Sequence, residues 1–327
     1  MLNLLQTHIE IVMNPLQIER ILGSYLTALR PRQWTKNLIV FAAPLFAFQL
    51  GGQTIVNSLL AFILFCCSSS SFYLFNDILD IEADRCHPIK CKRPIASGLV
   101  SIPVAIVLAI VLQGGALIFA WFVAKGLAIA IAAYGVFQIL YNLRLKHTVI
   151  LDVVTIALGF VFRAVGGAAA TDIVMSPWFL LCTAMLALFL AIEKRKAELK
   201  ILEIKGVRTR YILKRYSMSL LSRMENVVTT GTIIFYSLWS SGPQLKGATT
   251  PWMLITLPFV MYGVFRYQLL SDSKEIERRK KELGQEGGQT ERPEEVLLQD
   301  GPIRFTVIGW AMTVFAVLFL KNQQLIL

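Results

Sequence analysis

Polar and apolar positions along this chain alternate on a long scale. Nine mostly apolar runs, at about 37–50, 55–75, 100–122, 126–142, 149–170, 177–193, 227–241, 251–269 and 305–321, are separated by polar stretches. Most approach the roughly 20 residues that carry a helix across a bilayer core of about 30 Å. The first is short and can lengthen backward through the polar stretch before it. The pattern predicts an all-α, polytopic membrane protein with nine transmembrane helices. It forms a single membrane-embedded domain over residues 1–327, with an interfacial amphipathic helix within 1–36 and a cytoplasmic loop over 270–304. A soluble chain would need nine core helices with almost no polar face. The first 20 residues have no basic start, no clean apolar core and no small-residue cleavage site, so they read as a surface helix rather than a secretory leader. The segment "LGQEGGQTERPEEVLLQD" reads as a mobile loop, with "PEEVLLQDGPI" as a turn that packs back on the domain.

Composition agrees. The chain is 55% hydrophobic with only 16% charged residues, against about 25% in soluble domains. Charge then sets orientation. Of 32 Lys and Arg, 28 fall in the stretches 1–36, 76–98, 143–148, 193–226 and 266–304, all on one side of the predicted bundle. Lys125, Lys246 and Lys321 fall on the other side, and Arg163 within a span. By the positive-inside rule the basic side is cytoplasmic, the N-terminus is inside and the C-terminus outside. The net charge of +11 is thus one-sided. It serves topology and anionic lipid heads, and nothing in it calls for nucleic acid. The five cysteines form no disulfide framework, and Cys86, His87 and Cys91 lack a fourth ligand and a zinc-site spacing.

The stretch "FNDILDIEADRCHPIKCKRPIASG" carries the candidate chemistry. Asp77, Asp80 and Asp84 stand at i, i+3 and i+7, and on a helix they share one face, joined by Asn76. Three carboxylates on one stripe repel unless a cation sits among them, and oxygen-only ligands suit a hard ion. Mg²⁺ commonly enters such sites bridged to substrate phosphates. Lys90, Lys92 and Arg93 follow and can bind phosphate oxygens that the metal leaves unmatched. Pro88 and Pro94 stiffen this loop. The alternative is a solvated helix end with Arg85 as partner, which gives no reason for a like-charged stripe at a membrane mouth.

These residues are similar to the UbiA-type intramembrane prenyltransferase superfamily over nearly the whole chain. Within it the chain most resembles the decaprenyl-phosphate phosphoribosyltransferases. The resemblance lies in "RPRQWTKNLIVFAAPLF", "NDILDIEADRCHPIKCKRPIASG", "YNLRLKHTVILDV", "GFVFRAVGGAAA", "LAIEKRKAEL" and "PEEVLLQDGPI". It implies a UbiA-like bundle in a bacterial plasma membrane, with its site facing the cytoplasm. Prenyltransferases of the superfamily usually carry a second Asp-rich motif. The segment matched to it here, "YNLRLKHTVILD", keeps one acid, Asp152, and gains Tyr141, Arg144 and Lys146. Fewer carboxylates and more cations imply a donor with phosphate beyond one diphosphate. The resemblance implies phosphoribosyl pyrophosphate as donor, a polyprenyl phosphate as acceptor and pyrophosphate as leaving group.

On this reading Asp77, Asp80 and Asp84, with Asn76, hold Mg²⁺ and pyrophosphate and count as the catalytic set. Lys36, Lys90 and Arg93 bind phosphate. Tyr141 and Lys146 hold the donor's phosphate or ribose, with Asp152 orienting one of them or a ribose hydroxyl. Arg163, costly inside a span unless paired or facing a polar cavity, binds substrate or forms an ion pair with Asp152, three turns away. Lys194 or Arg195 binds the acceptor phosphate or anchors the span. The small residues at 164–170 serve helix contacts or shape a lipid-facing opening. Two other functions stay open: a prenyltransferase joining a polyprenyl diphosphate to an aromatic acceptor, and a transporter of a phosphorylated lipid or metabolite. Oligomeric state is left open, a homo-oligomer included.

Overall fold

The computed structural model describes residues 15–87, 89–205, 211–283, 296 and 299–326. Regular structure among them is entirely helical. In chain order the helices are α1 (Pro15–Leu29), α2 (Ala42–Phe46), α3 (Gly52–Leu79), α4 (Ile81–Arg85), α5 (Ile102–Val123), α6 (Lys125–Leu143), α7 (Leu151–Thr171), α8 (Pro177–Lys205), α9 (Met218–Ser240), α10 (Leu257–Ser271), α11 (Ser273–Leu283) and α12 (Gly301–Asn322). A 3-10 segment, Pro31–Phe41, links α1 to α2. A second, Pro251–Thr256, leads into α10.

Among the described residues seven helical stretches are long and apolar enough to cross a membrane: Gly52–Leu79, Ile102–Val123, Lys125–Leu143, Leu151–Thr171, Pro177–Lys200, Pro251–Ser271 and Gly301–Asn322. Two runs counted as spans from sequence do not meet that measure. The first is a 3-10 segment followed by the short α2. The second, α9, carries Arg223 and Glu225 in its first half. Contacts at its two ends place the first across the bundle. The first begins beside Arg30, which holds Asp77, and ends where Phe46 packs on Phe179 and Trp239. At about 2.0 Å per residue for its 3-10 part and 1.5 Å for its α part, it covers roughly 30 Å.

Two kinds of contact set the helices at their distances. Serines of α3 face its neighbours: Ser71 donates to the Ala109 carbonyl (2.8 Å) and Ser68 to Gln113 (2.7 Å) on α5. In α7, a Cβ on Gly167 would stand 2.1 Å from the Val40 carbonyl oxygen, and one on Gly166 would press on the Phe65 ring. Small residues thus let backbones approach closely, and the run at 164–170 lies at helix contacts. Helix α7 touches α3, α6, α8 and the first 3-10 segment, which puts it at the bundle's centre.

The polar ends of the helices gather on one side. Of the expected loop between α11 and α12, most lies outside the described residues, as do residues 1–14 and Pro88. Val296 is buried among Val264, Tyr267, Leu270 and Ile303, and Asp300 caps α12 through the Ile303 amide (3.0 Å). Val296 and Asp300 therefore sit against the bundle. Asp300 also receives Arg266 (3.0 Å) and Arg279 (3.1 Å), which tie α10 and α11 to it.

Candidate active site

Asp77 lies in the last turn of α3, 3% exposed. The helix stops at Leu79, and Asp80, at φ −93° and ψ 9°, separates it from α4. The acids therefore do not share one uninterrupted helix. The Asp80 amide donates to the Asn76 carbonyl (2.9 Å) and the Asp84 amide to that of Asp80 (2.8 Å), which keeps the chain wound across the break. The expected spacing survives, and Asp80 stands at the more open point.

Each carboxylate meets a base. Asp77 accepts from Arg30 (2.5 Å) and Arg93 (3.1 Å), and Asp84 from the same Arg93 nitrogen (2.6 Å). Asp80 accepts from the Lys146 ammonium (2.7 Å), which also reaches the Asn76 side-chain oxygen (3.5 Å). Arg30 comes from the junction of α1 and the 3-10 segment, where it takes a left-handed conformation (φ 55°) before Pro31. Its guanidinium lies 4.8 Å from the centre of the Tyr73 ring. Lys90 opens a 3-10 turn in the following loop. There the His87 ring nitrogen accepts from the Ile89 and Lys90 amides (3.2 and 3.3 Å). Partial burial and the Lys90 charge push the His87 imidazole below its ordinary value, which suits that acceptor role.

Lys146 belongs to the turn Leu145–His147 between α6 and α7 and is 9% exposed. Asp152, in the first turn of α7, is 0% exposed. Its oxygens accept from Arg195 of α8 (2.7 Å) and the Tyr216 hydroxyl (2.6 Å). Arg195 also meets Glu198 (2.5 Å), and Tyr141, at the end of α6, is within electrostatic reach of it. The pair expected between Asp152 and Arg163 is not formed. Arg163 is buried deeper, donating to Asn37 (2.5 Å), the Gly159 carbonyl (2.7 Å) and the Tyr134 hydroxyl (3.0 Å). It also lies 4.7 Å over the Tyr134 ring. Arg163 thus ties the first pass to α6 and α7 inside the bundle. Lys36 lies on the 3-10 segment and Lys194 on α8, both partly exposed.

Sequence reasoning passed over several groups. Arg30 was counted among the basic residues of 1–36 that set topology. Tyr216 belongs to no motif. On α8, Lys196 joins Glu193 (2.9 Å) to Glu225 of α9 (2.5 Å), while Glu193 is also bonded by the Ser271 hydroxyl. The charges of "EKRKAE" were visible, but not that Arg195 and Lys196 turn to different helices.

The donor set can be weighed against a divalent cation. Among the described residues, no three His, Cys, Asp or Glu side chains close tightly enough to hold a metal; bases stand between the acids. Yet the oxygens of Asp77 and Asp84 converge on one cationic atom, and every candidate donor is oxygen. That chemistry fits Mg²⁺.

The fold and the site define the class: a helical membrane bundle with an acid-rich turn at its polar end, each acid matched by a base. Residues 38–284 match the UbiA prenyltransferase family, and the chain belongs to it. It is 35% identical over 314 residues to the decaprenyl-phosphate phosphoribosyltransferase of Mycolicibacterium smegmatis, covering 92% of this chain and 94% of that one. The same enzyme of Mycobacterium tuberculosis is 33% identical over 304 residues, covering 90% and 94%. Among solved structures, a UbiA homolog from Archaeoglobus fulgidus bound to DMAPP and Mg²⁺ superposes with a TM-score of 0.63 at 18% identity, over 90% of this chain and 98% of that one.

Proposed function

We propose that this chain transfers the 5-phosphoribosyl group of phosphoribosyl pyrophosphate to a polyprenyl phosphate, with Mg²⁺, at the cytoplasmic face of a bacterial plasma membrane. The end-to-end match to enzymes of that name carries the reading. The site's charge balance supports it: Arg30, Arg93 and Lys146 already neutralise Asp77, Asp80 and Asp84. A prenyl donor needs metal at its diphosphate and little else. A donor with a further 5-phosphate needs bases as well, and Lys146 stands where the acids of a second motif are missing.

In the reaction, the bond from the anomeric carbon to pyrophosphate breaks. A bond from that carbon to a phosphate oxygen of the acceptor forms. Mg²⁺, when bound, supplies positive charge to the departing pyrophosphate. Asp77, Asp80, Asp84 and Asn76 would hold it, and Arg30, Arg93 and Lys146 would pass from carboxylate to phosphate oxygens. Such fixed cations stabilise charge that builds only as the bond breaks. The acceptor phosphate is already anionic near pH 7, its second pKa being about 6, so it needs placement rather than a strong base. Lys36, Lys90 and Lys194 are assigned to phosphate placement, and Tyr141 to the ribose or its phosphate. Asp152 and Arg195 act through each other, buried behind the Lys146 turn.

The test uses purified protein in detergent, labelled phosphoribosyl pyrophosphate and a polyprenyl phosphate. Label should enter the lipid phase with Mg²⁺ and not without it. Turnover of a polyprenyl diphosphate with an aromatic acceptor, and none with phosphoribosyl pyrophosphate, would replace this reading by the prenyltransferase one.

A further inference from the structure

Ile150 precedes α7 at φ 73° and ψ −48°. This lies in the γ-turn region, which is rare and strained, and a β-branched residue at positive φ is a marked outlier. Something must hold it. Its amide donates to the Tyr216 hydroxyl at 2.8 Å, and that hydroxyl donates to Asp152 at 2.6 Å. Asp152 is in turn fixed by Arg195. Tyr216 is itself buried and comes from just before α9, 64 positions from Asp152 in the chain. Burial and the bond to Asp152 push its phenol above its ordinary value. The hydroxyl therefore keeps its proton near neutrality, and the direction of both bonds is set.

The strain lies four residues from Lys146. The chain between them is tightly wound: the Thr148 amide donates to the Leu145 carbonyl (3.0 Å) and the Asp152 amide to the Thr148 carbonyl (3.1 Å). A change in backbone direction at Ile150 is thus passed to the Lys146 turn rather than absorbed in slack.

We propose that Tyr216 is a positioning residue for the donor site: it pins the strained Ile150 amide to the buried Asp152 and so sets where the Lys146 ammonium is presented. Tyr216 touches no substrate. It acts through the backbone, and the inference rests on the phosphoribosyl-transfer reading above. It also gives the α8–α9 connection a part in donor binding that its own sequence does not suggest.

The experiment compares wild type, Tyr216→Phe and the double variant Tyr216→Phe/Ile150→Gly, all full length in detergent, by label transfer from phosphoribosyl pyrophosphate. Tyr216→Phe should raise the donor KM about tenfold, the factor that corresponds to 1.4 kcal/mol. The acceptor KM should stay and kcat should change little. Glycine adopts positive φ without the Cβ penalty, so Ile150→Gly should return the donor KM of the double variant most of the way to wild type. A merely structural tyrosine would instead lower the amount of active enzyme and leave KM alone. An unchanged donor KM in Tyr216→Phe overturns the proposal. A donor KM that stays raised in the double variant also overturns it, whether or not the single variant accumulates. A wild type that transfers no label overturns the functional reading itself, which an active wild type with an indifferent Tyr216 does not.

Discussion

Removing the Lys146 ammonium separates stability from donor binding. In the structure Lys146 meets Asp80, whose side chain is 35% exposed. The Lys146 side chain is 10% exposed, but the acid it meets opens to solvent, so the pair is partly screened and contributes about 1 kcal/mol to folding. Lys146→Ala should therefore insert and unfold much as wild type does. On the proposed function the same ammonium makes a charge-assisted hydrogen bond to donor phosphate, worth about 1.5–3 kcal/mol. Its loss should weaken donor binding about ten- to a hundredfold, since each 1.4 kcal/mol is a factor of ten. Lys146→Asp should be worse, because it sets a second carboxylate beside Asp80 and repels both that acid and the phosphate. The acceptor KM should not move. The assay is equilibrium binding of labelled phosphoribosyl pyrophosphate to the three proteins at saturating Mg²⁺. Equal affinities would refute the assignment. So would an Asp variant that binds polyprenyl diphosphate better than wild type, because an acid there would then be restoring a prenyltransferase's second motif.

Asp77→Asn and Asp84→Asn should each lower turnover at least ~10²-fold, the scale for losing a charge-stabilising group; unaltered rates at saturating substrate would remove them from the site. Arg163→Lys keeps the charge but loses the fork that reaches Asn37 and Tyr134. It should cost about 1–3 kcal/mol in stability with the donor KM unchanged, and the opposite pattern would move Arg163 into the substrate site. Burial alone would raise the Asp300 pKa, but Arg266, the Ile303 amide and Arg279 hold it below the ordinary value. A carboxylate so depressed stabilises the fold above its unfolded pKa near 3.9 and loses that as pH falls through its folded value. Asp300→Asn should therefore melt lower than wild type at neutral pH, with the gap narrowing as pH falls below about 3.9; a gap that stays constant as pH falls would contradict the ion-pair account. For topology, exposed Cys86 should resist an impermeant maleimide in intact cells while Gly51→Cys, in open space, reacts. The reverse would invert the site's compartment.

The fold was legible because burial in lipid writes itself along the chain. The seven stretches that meet the measure are 19–28 residues long and mostly apolar, with only a few charges such as Arg163 inside them. The two that did not are instructive. Pro31–Phe41 holds Arg32, Lys36 and Asn37, so its apolar signal is thin, and its 3-10 rise supplies length that an α-helical count of residues misses. Helix α9 carries Arg223 and Glu225, and Glu225 is tolerated inside the bundle because Lys196 meets it. A window that scores charge as a penalty cannot know that the charge is paired.

The candidate site was legible in its charges and not in its pairings, for a related reason. Asp77, Asp80 and Asp84 could be read as one stripe because three and seven residues return to the same helix face. Which base meets which acid depends on loops and on helices distant in sequence. Arg30 reaches Asp77 across 47 positions and Lys146 reaches Asp80 across 66. Asp152 lies only eleven positions before Arg163, three turns along one helix, so local spacing favoured their pairing. The structure sends Asp152 instead to α8 and Tyr216, and Arg163 to the first pass and α6. A carboxylate at the first turn of α7 lies at the bundle's polar end, whereas Arg163, about three turns in, lies at mid-depth. An ion pair needs its partners at one depth as well as on one face. Neutral acceptors can satisfy an interior arginine, and here the Asn37 side-chain oxygen, the Gly159 carbonyl of its own helix and the Tyr134 hydroxyl do so. Helix periodicity shows the face a residue shares; the depth at which other helices cross that face decides what it meets.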